Sequence, residues 1–314
     1  MHNILDIFDI QQVIVSFLGN KKELLTWKHI CSKTMYVFDS NFLCNSFNDF
    51  FNVTRIKTSD LALLLEHRHK IIELHCEYDL NITDMSIFYN LKILKCYQNK
   101  KINKLPHSLE ELFCGWNNCL SDDIISNALK LKLLQCDFNV VLTSKSIGNL
   151  INLTYLDLGA NYKCNDEMFK NLPKLQYLNC GINIFTDTAL SYLPNLLCLK
   201  CGYKCKFTDD GLKYVQKLQI LICGKCPFTD DGIKFLTKLV YLDCDYNNLI
   251  TDKILQYTNK LQYLDCNKNI NFTTEKLLNS NLVHNIQSDN FNKNILLKFN
   301  SLSSKTYIVY NKSS

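Results

Sequence analysis

The chain has 314 residues, 47% hydrophobic and 21% charged, the balance of a globular protein long enough for one large domain or two ordinary ones. Its net charge of +5 is small for that length and no Lys/Arg run concentrates it, which argues against nucleic-acid or membrane binding by bulk charge. No apolar stretch approaches the ~20 residues that span a bilayer and the opening residues lack a signal-peptide pattern, so a cytoplasmic, reducing compartment is expected, with the 16 cysteines as thiols.

The first fifty residues differ in pattern from everything after them. "VIVSFLGNKKELLTWKHICSK" reads as a helix, a turn at Gly19-Asn20 and a second amphipathic helix. Its apolar positions are Ile14, Phe17 and Leu18, then Leu24, Leu25, Ile30 and Cys31. Taken alone, these residues would equally serve as the helical cap of whatever follows. Residues 51–70 read as an N-terminal cap for the repeats that follow, a degenerate unit in which Ser59-Asp60 stands where later units have Thr-Asp.

From residue 71 to 288 the chain repeats. Leu-x-Cys recurs with its Leu at 74, 94, 112, 134, 178, 199, 221, 242 and 264, and Leu156-Asp157-Leu158 fills the gap. Three residues before each Leu is another aliphatic, and three after the Cys stand mostly Asn: Asn99, Asn117, Asn139, Asn161, Asn183, Asn247 and Asn269, with Asp79, Lys204 and Cys226 as exceptions. The unit L-x-x-L-x-C-x-x-N is a leucine-rich-repeat pattern. Alternating Leu and Cys on a short strand point inward and stack into one core, and the Asn amide can satisfy backbone groups where the strand ends.

The second half of each unit pairs an apolar residue with a helix N-cap type: Thr83, Asn103, Ser121, Thr143, Asn165, Thr186, Thr208, Thr229, Thr251 and Thr273. Asp follows most of them, suiting the positive end of a helix dipole. Four residues past the cap, Ile87, Ile125, Ile147, Phe169, Leu190, Leu212, Ile233, Leu255 and Leu277 are expected to face inward. The unit with Pro106 and His107 is short and should carry only a turn. The expected fold is therefore an α/β solenoid of ten to eleven repeats of 18–22 residues, strands on the concave face and short helices or turns on the convex face. Residues 289–314, with "KTYIVY", read as a C-terminal cap and tail.

Most cysteines are thereby assigned to packing, because Cys is small, weakly polar and often buried. The pair Cys223-x-x-Cys226 has a zinc or redox spacing and could be joined by Cys201 and Cys205, but the inward column already demands Cys201 and Cys223. Cys44, Cys119, Cys198 and Cys205 have no slot. The seven histidines are scattered, and no phosphate loop, paired catalytic carboxylates or nucleophile elbow is present. No catalytic residue, metal or cofactor is expected.

An N-terminal helical module followed by cysteine-bearing repeats with an Ile/Phe-Thr-Asp turn resembles the F-box/leucine-rich-repeat proteins over most of the chain. Residues 14–31 are similar to an F-box in the spacing of Ile14, Leu18, the Leu24-Leu25 pair and Ile30-Cys31; they depart from it in lacking a Leu-Pro start and in having Thr34 where Trp is usual. The resemblance implies that Ile14, Phe17, Leu18, Leu24, Leu25, Ile30 and Cys31 contact a Skp-type adaptor of a cullin ubiquitin ligase, while the repeats hold a protein substrate. Abundant Asn, Lys and Ile are similar to the expanded families of such proteins in giant DNA viruses of amoebae, which implies a host-cell cytoplasmic setting.

The expected binding surface is the concave strand face. Its outward slots carry Tyr155, Tyr177, Tyr241 and Tyr263, with Phe113, Trp116, Phe138, Tyr203 and Tyr246 further along, and Asp157, Lys200, Asp243 and Asp265 between the inward Leu and Cys. Exposed aromatics mixed with charges are a protein-binding composition, although a Tyr packing its ring between rungs is equally compatible with each residue singly. The alternative function is a stand-alone repeat protein that sequesters a partner without any adaptor. A monomer outside such complexes is expected.

Overall fold

The computed structural model describes residues 55–57, 64–277 and 285–287, apart from 66, 67, 77–81, 98, 100, 117, 118, 204, 274 and 275 within the long span. The chain divides into two compact units, Met1–Val53 and Thr54–Ser314, and every described residue falls in the second.

Twelve short strands form a single parallel sheet in sequence order. They are β1 Arg55–Lys57, β2 Glu73–His75, β3 Ile93–Lys95, β4 Glu111–Phe113, β5 Leu133–Gln135, β6 Tyr155–Asp157, β7 Tyr177–Gly181, β8 Cys198–Cys201, β9 Ile220–Ile222, β10 Tyr241–Asp243, β11 Tyr263–Asp265 and β12 Asn285–Gln287. Parallel neighbours need a crossover of about a dozen residues, which the second half of each unit supplies. The register places the repeat leucines opposite one another, Leu156 against Leu178 and Leu242 against Leu264. This is a leucine-rich-repeat solenoid, whose twelve described strands comprise the ten repeats from Ile71 with one strand before and one after them.

The core follows the columns. Leu74, Leu94, Leu112, Leu134, Leu156, Leu178, Leu199, Leu221, Leu242 and Leu264 are all fully buried, and so are the aliphatics three residues before them. Phe185, Phe207, Phe228 and Phe272 fill the space behind the turn. The Asn column is buried too. Asn183 Nδ2 donates to the Gly159 and Cys180 carbonyls at 2.9 and 2.7 Å, and Asn247 Nδ2 to those of Cys226 and Phe228 at 3.0 and 3.3 Å. The amides thus pair carbonyls that stacking would otherwise bury unsatisfied.

Two register expectations are corrected. Cys205, not Lys204, occupies the Asn position: its backbone N–H donates to Gly202 O at 3.1 Å, as that of Asn183 does to Cys180 O at 3.0 Å. An extra residue in that turn shifts the count. On the convex side Ile87 and Leu255 are only half-buried, and Met85, Phe88 and Ile254 face inward instead. Both segments are 3-10 turns, Met85–Ile87 and Asp252–Gln256. Asp84, not Thr83, caps the first of them. The unit containing Pro106 has no helix between β3 and β4, as its length requires.

The convex edge holds contacts that the dipole argument for the capping Asp does not foresee. From Asp122 onward these carboxylates reach the threonine of the next repeat: Asp187 accepts from Thr208 N and Oγ1 at 2.8 and 2.6 Å, and Asp209 from Thr229 N and Oγ1 at 2.9 and 2.6 Å. Asp230 does the same with Thr251, and Asp166 with Thr186. The threonine Oγ1 in turn accepts from the N–H two residues on, Asp210 N to Thr208 at 3.2 Å. The glycines of the two Thr-Asp-Asp-Gly turns make room for this ladder: a Cβ on Gly232 would lie 2.2 Å from Asp209 Oδ1.

Candidate functional site

Each central strand residue is an inward Leu, so its two neighbours face the opposite side of the sheet. Pairing makes two continuous columns on that concave face. One runs Glu73, Ile93, Glu111, Leu133, Tyr155, Tyr177, Cys198, Ile220, Tyr241 and Tyr263. The other runs His75, Lys95, Phe113, Gln135, Asp157, Asn179, Lys200, Ile222, Asp243 and Asp265. Cys198, without a role in the repeat pattern, therefore belongs to the concave face, between Tyr177 and Ile220.

The columns are packed more tightly than exposed aromatics would be. Tyr155 stacks on Tyr177 with ring centroids 4.0 Å apart, and Tyr241 on Tyr263 at 4.6 Å. As a result Tyr155, Tyr241 and Asp157 are buried, while Tyr177, Lys200, Tyr263, Asp243 and Asp265 keep intermediate exposure. Phe113 is almost wholly buried, because Lys95 and Gln135 flank it in the column and the Lys95 ammonium lies 5.1 Å from its ring centre. The expectation of exposure is thus corrected at Phe113, Tyr155, Asp157 and Tyr241.

The exposed aromatics lie just past the strands. Trp116, Phe138, Tyr203 and Tyr246 are 42–59% exposed. Trp116 and Phe138 stack at 4.2 Å, and Lys225 sits 4.7 Å from the Tyr246 ring centre. Trp116, Phe138, Lys225 and Tyr246 all have φ of 57–61°, a left-handed conformation disfavoured for any side chain with a Cβ. The tight turn at each strand end imposes it, and it stands the rings beside the strand columns.

Two carboxylates share the middle of the face. Asp157 accepts from Asn179 Nδ2 at 3.0 Å and Gly159 N at 3.1 Å; Asp137 accepts from Gln135 Nε2 at 3.3 Å. Burial, and then the nearby Asp137 charge, push the Asp157 carboxyl up to about 6 against these bonds and Lys200. Burial also raises Asp137. At the other end Glu73 accepts from His75 at 2.9 Å and pairs with the buried Lys95 at 3.7 Å. The repeat motif gave no hint of this polar cluster, since His75, Lys95 and Gln135 occupy variable slots.

Among the described residues no group of three or more His, Cys, Asp or Glu is arranged to hold a metal. Cys223 is fully buried in the inward column, and Cys226 approaches Cys201 across the repeat boundary. No helix among the described residues is long and apolar enough to cross a membrane. Ile14, Phe17, Leu18, Leu24, Leu25, Ile30 and Cys31 lie outside the described residues, as does "KTYIVY".

No protein-family model and no curated protein matches the chain. Among solved structures, an internalin from Listeria monocytogenes is similar, with a TM-score of 0.60 and 24% identity over 81% of this chain and 77% of that one. The likeness is one of fold: both are leucine-rich-repeat solenoids.

Proposed function

We propose that this chain is a non-enzymatic binding module that holds a protein partner on the concave face of its repeats. The observation that carries the reading is the run of exposed rings at Trp116, Phe138, Tyr203 and Tyr246 alongside two columns rich in Tyr and carboxylates. Solenoids offer such faces as extended binding surfaces, and aromatic anchors dominate protein interfaces. Asp157 supports it further: a carboxylate kept on this face against its own burial is relieved when a partner brings a Lys or Arg to it. The favoured partner therefore presents basic groups.

The finer reading rests on the sequence resemblance. Residues 14–31 dock a Skp-type adaptor, and the chain is the substrate receptor of a Skp-cullin-F-box ubiquitin ligase. Co-purification of the full chain with that adaptor tests it. The complex is expected to form and to be lost in a Leu24→Asp/Ile30→Asp variant, while Trp116→Ala leaves it intact. A chain that binds no adaptor yet still holds a partner through Trp116 and Phe138 would be the stand-alone module instead.

A further inference from the structure

The ladder of buried amides is interrupted at two successive repeats, where Cys205 and Cys226 stand in place of Asn. Each thiol lies against the inward cysteine of the preceding strand. Cys205 Sγ is 3.5 Å from Cys180 Sγ, and Cys226 Sγ is 3.4 Å from Cys201 Sγ. All four are free thiols, and the two pairs adjoin: Cys180 in β7, Cys201 in β8. A disulfide bond is about 2.05 Å, so either pair closes once its sulfurs approach by about 1.4 Å. Neither pair is the Cys223-x-x-Cys226 of the sequence; both join one repeat to the next.

We propose that Cys180–Cys205 and Cys201–Cys226 are oxidative modification sites, at which a hydroperoxide converts each thiol pair to a disulfide and staples three consecutive repeats beneath the Lys200 region of the concave face. One cysteine of each pair, Cys205 in the first, attacks the peroxide: its sulfur bonds one oxygen, the O–O bond breaks, and the departing oxygen takes the thiol proton. Its partner then attacks that sulfur, the S–O bond breaks, and hydroxide leaves with the second proton as water. Two thiols lose two electrons in total, and the peroxide is reduced to an alcohol and water, or to two waters from hydrogen peroxide.

The geometry suits these roles. In the Cys180–Cys205 pair the ladder cysteine keeps 4% exposure and Cys180 none, while Cys201 and Cys226 are alike at 4% and 3%. The thiol contact with Cys180 lowers the Cys205 thiol below its ordinary value, and burial holds Cys180 well above its own. The thiolate, the reacting species, therefore forms on the ladder side of that pair.

The test uses the full chain, reduced, freed of reductant and exposed to hydrogen peroxide, then unfolded in the presence of an alkylating reagent and digested without reductant. Expected are peptides linked Cys180–Cys205 and Cys201–Cys226, an intact mass lower by four hydrogens, and a melting temperature raised by several degrees that dithiothreitol reverses. The control is Cys205→Asn/Cys226→Asn, which supplies the amide that neighbouring repeats carry. It should match the unoxidised chain in reductant and show no peroxide-dependent shift. Oxidation that stops at sulfinic acids, linkage of other pairs such as Cys223 with Cys226, or a shift that persists in the double variant overturns the proposal. The peptide map of the unsubstituted chain decides the matter by itself if the variant fails to fold.

Discussion

Carboxylates on the two edges of the solenoid live in opposite environments. On the convex edge, Asp122 accepts from Thr143 N, Thr143 Oγ1 and Ser146 Oγ at 2.9, 2.5 and 2.5 Å. Burial works to raise its carboxyl, but those bonds prevail and hold it below the usual range; Asp252, bonded to Thr273 and Lys276, is held low in the same way. On the concave face, Asp157 has two donors and a neighbouring carboxylate, and burial prevails instead. The same side chain is mortar between repeats on one edge and a load on the fold on the other. Perturbed carboxylates cluster at functional sites, and the proposed binding face is the one that carries them.

The largest expected effect breaks the convex side. Asp122→Ala removes three hydrogen bonds to a charged acceptor and should cost about 3 kcal/mol, read as a lower urea midpoint. Because each bond spans a repeat boundary, loss of cooperativity between the flanking repeats should accompany it. An unchanged midpoint would mean that water replaces the carboxylate without cost.

The concave side should answer with the other sign. Asp157→Asn keeps the acceptor for Gly159 and removes the charge, so stability at pH 7 should rise on the order of 2 kcal/mol. The folded value is above the unfolded one, so the penalty is full above about 6 and fades as pH falls toward the unfolded value of 3.8. Variant and parent should therefore converge near pH 4. The Asp122 and Asp252 carboxyls are held low, so their stabilising bonds are lost only as pH falls below the ordinary carboxylate range. Urea midpoints across pH 4–7 check this, and a constant gap would sink the electrostatic account.

Periodicity made the fold legible because a buried column must repeat: every inward Leu of the L-x-C unit is fully buried. What stayed hidden depended on the offset between neighbouring repeats. The Asp-to-Thr bridges join residues about 21 apart, a relation that capping rules within one helix do not contain. Cys205 was readable by another route: it stands two residues before Phe207, as Asn183 does before Phe185 and Cys226 before Phe228. Counting back from the Phe rather than forward from the strand Cys assigns it to the ladder. The concave face was legible as a set of positions but not as a surface, since exposure at Phe113 or Tyr155 is decided by which side chain stands one strand away.

The smallest stability effect belongs to the rings that mark the proposed site, and it separates binding from architecture most directly. Trp116 is 53% exposed and stacks on Phe138, yet its φ is 59°. Trp116→Gly loses a stacked contact of about 0.5–1.5 kcal/mol, and gains relief of a left-handed strain of about 1–2 kcal/mol, less the glycine's extra unfolded-state entropy. These terms nearly cancel, so the urea midpoint should move little, whereas Trp116→Ala keeps the strain, loses the stack and should be slightly less stable than the glycine variant. Partner affinity should respond differently: both substitutions remove the ring, so both should weaken binding about tenfold or more if Trp116 is an anchor, since that factor is about 1.4 kcal/mol. Equal affinity with a large loss of stability would reverse the assignment and make the Trp116–Phe138 stack part of the scaffold, leaving the carboxylates as the mark of the binding face.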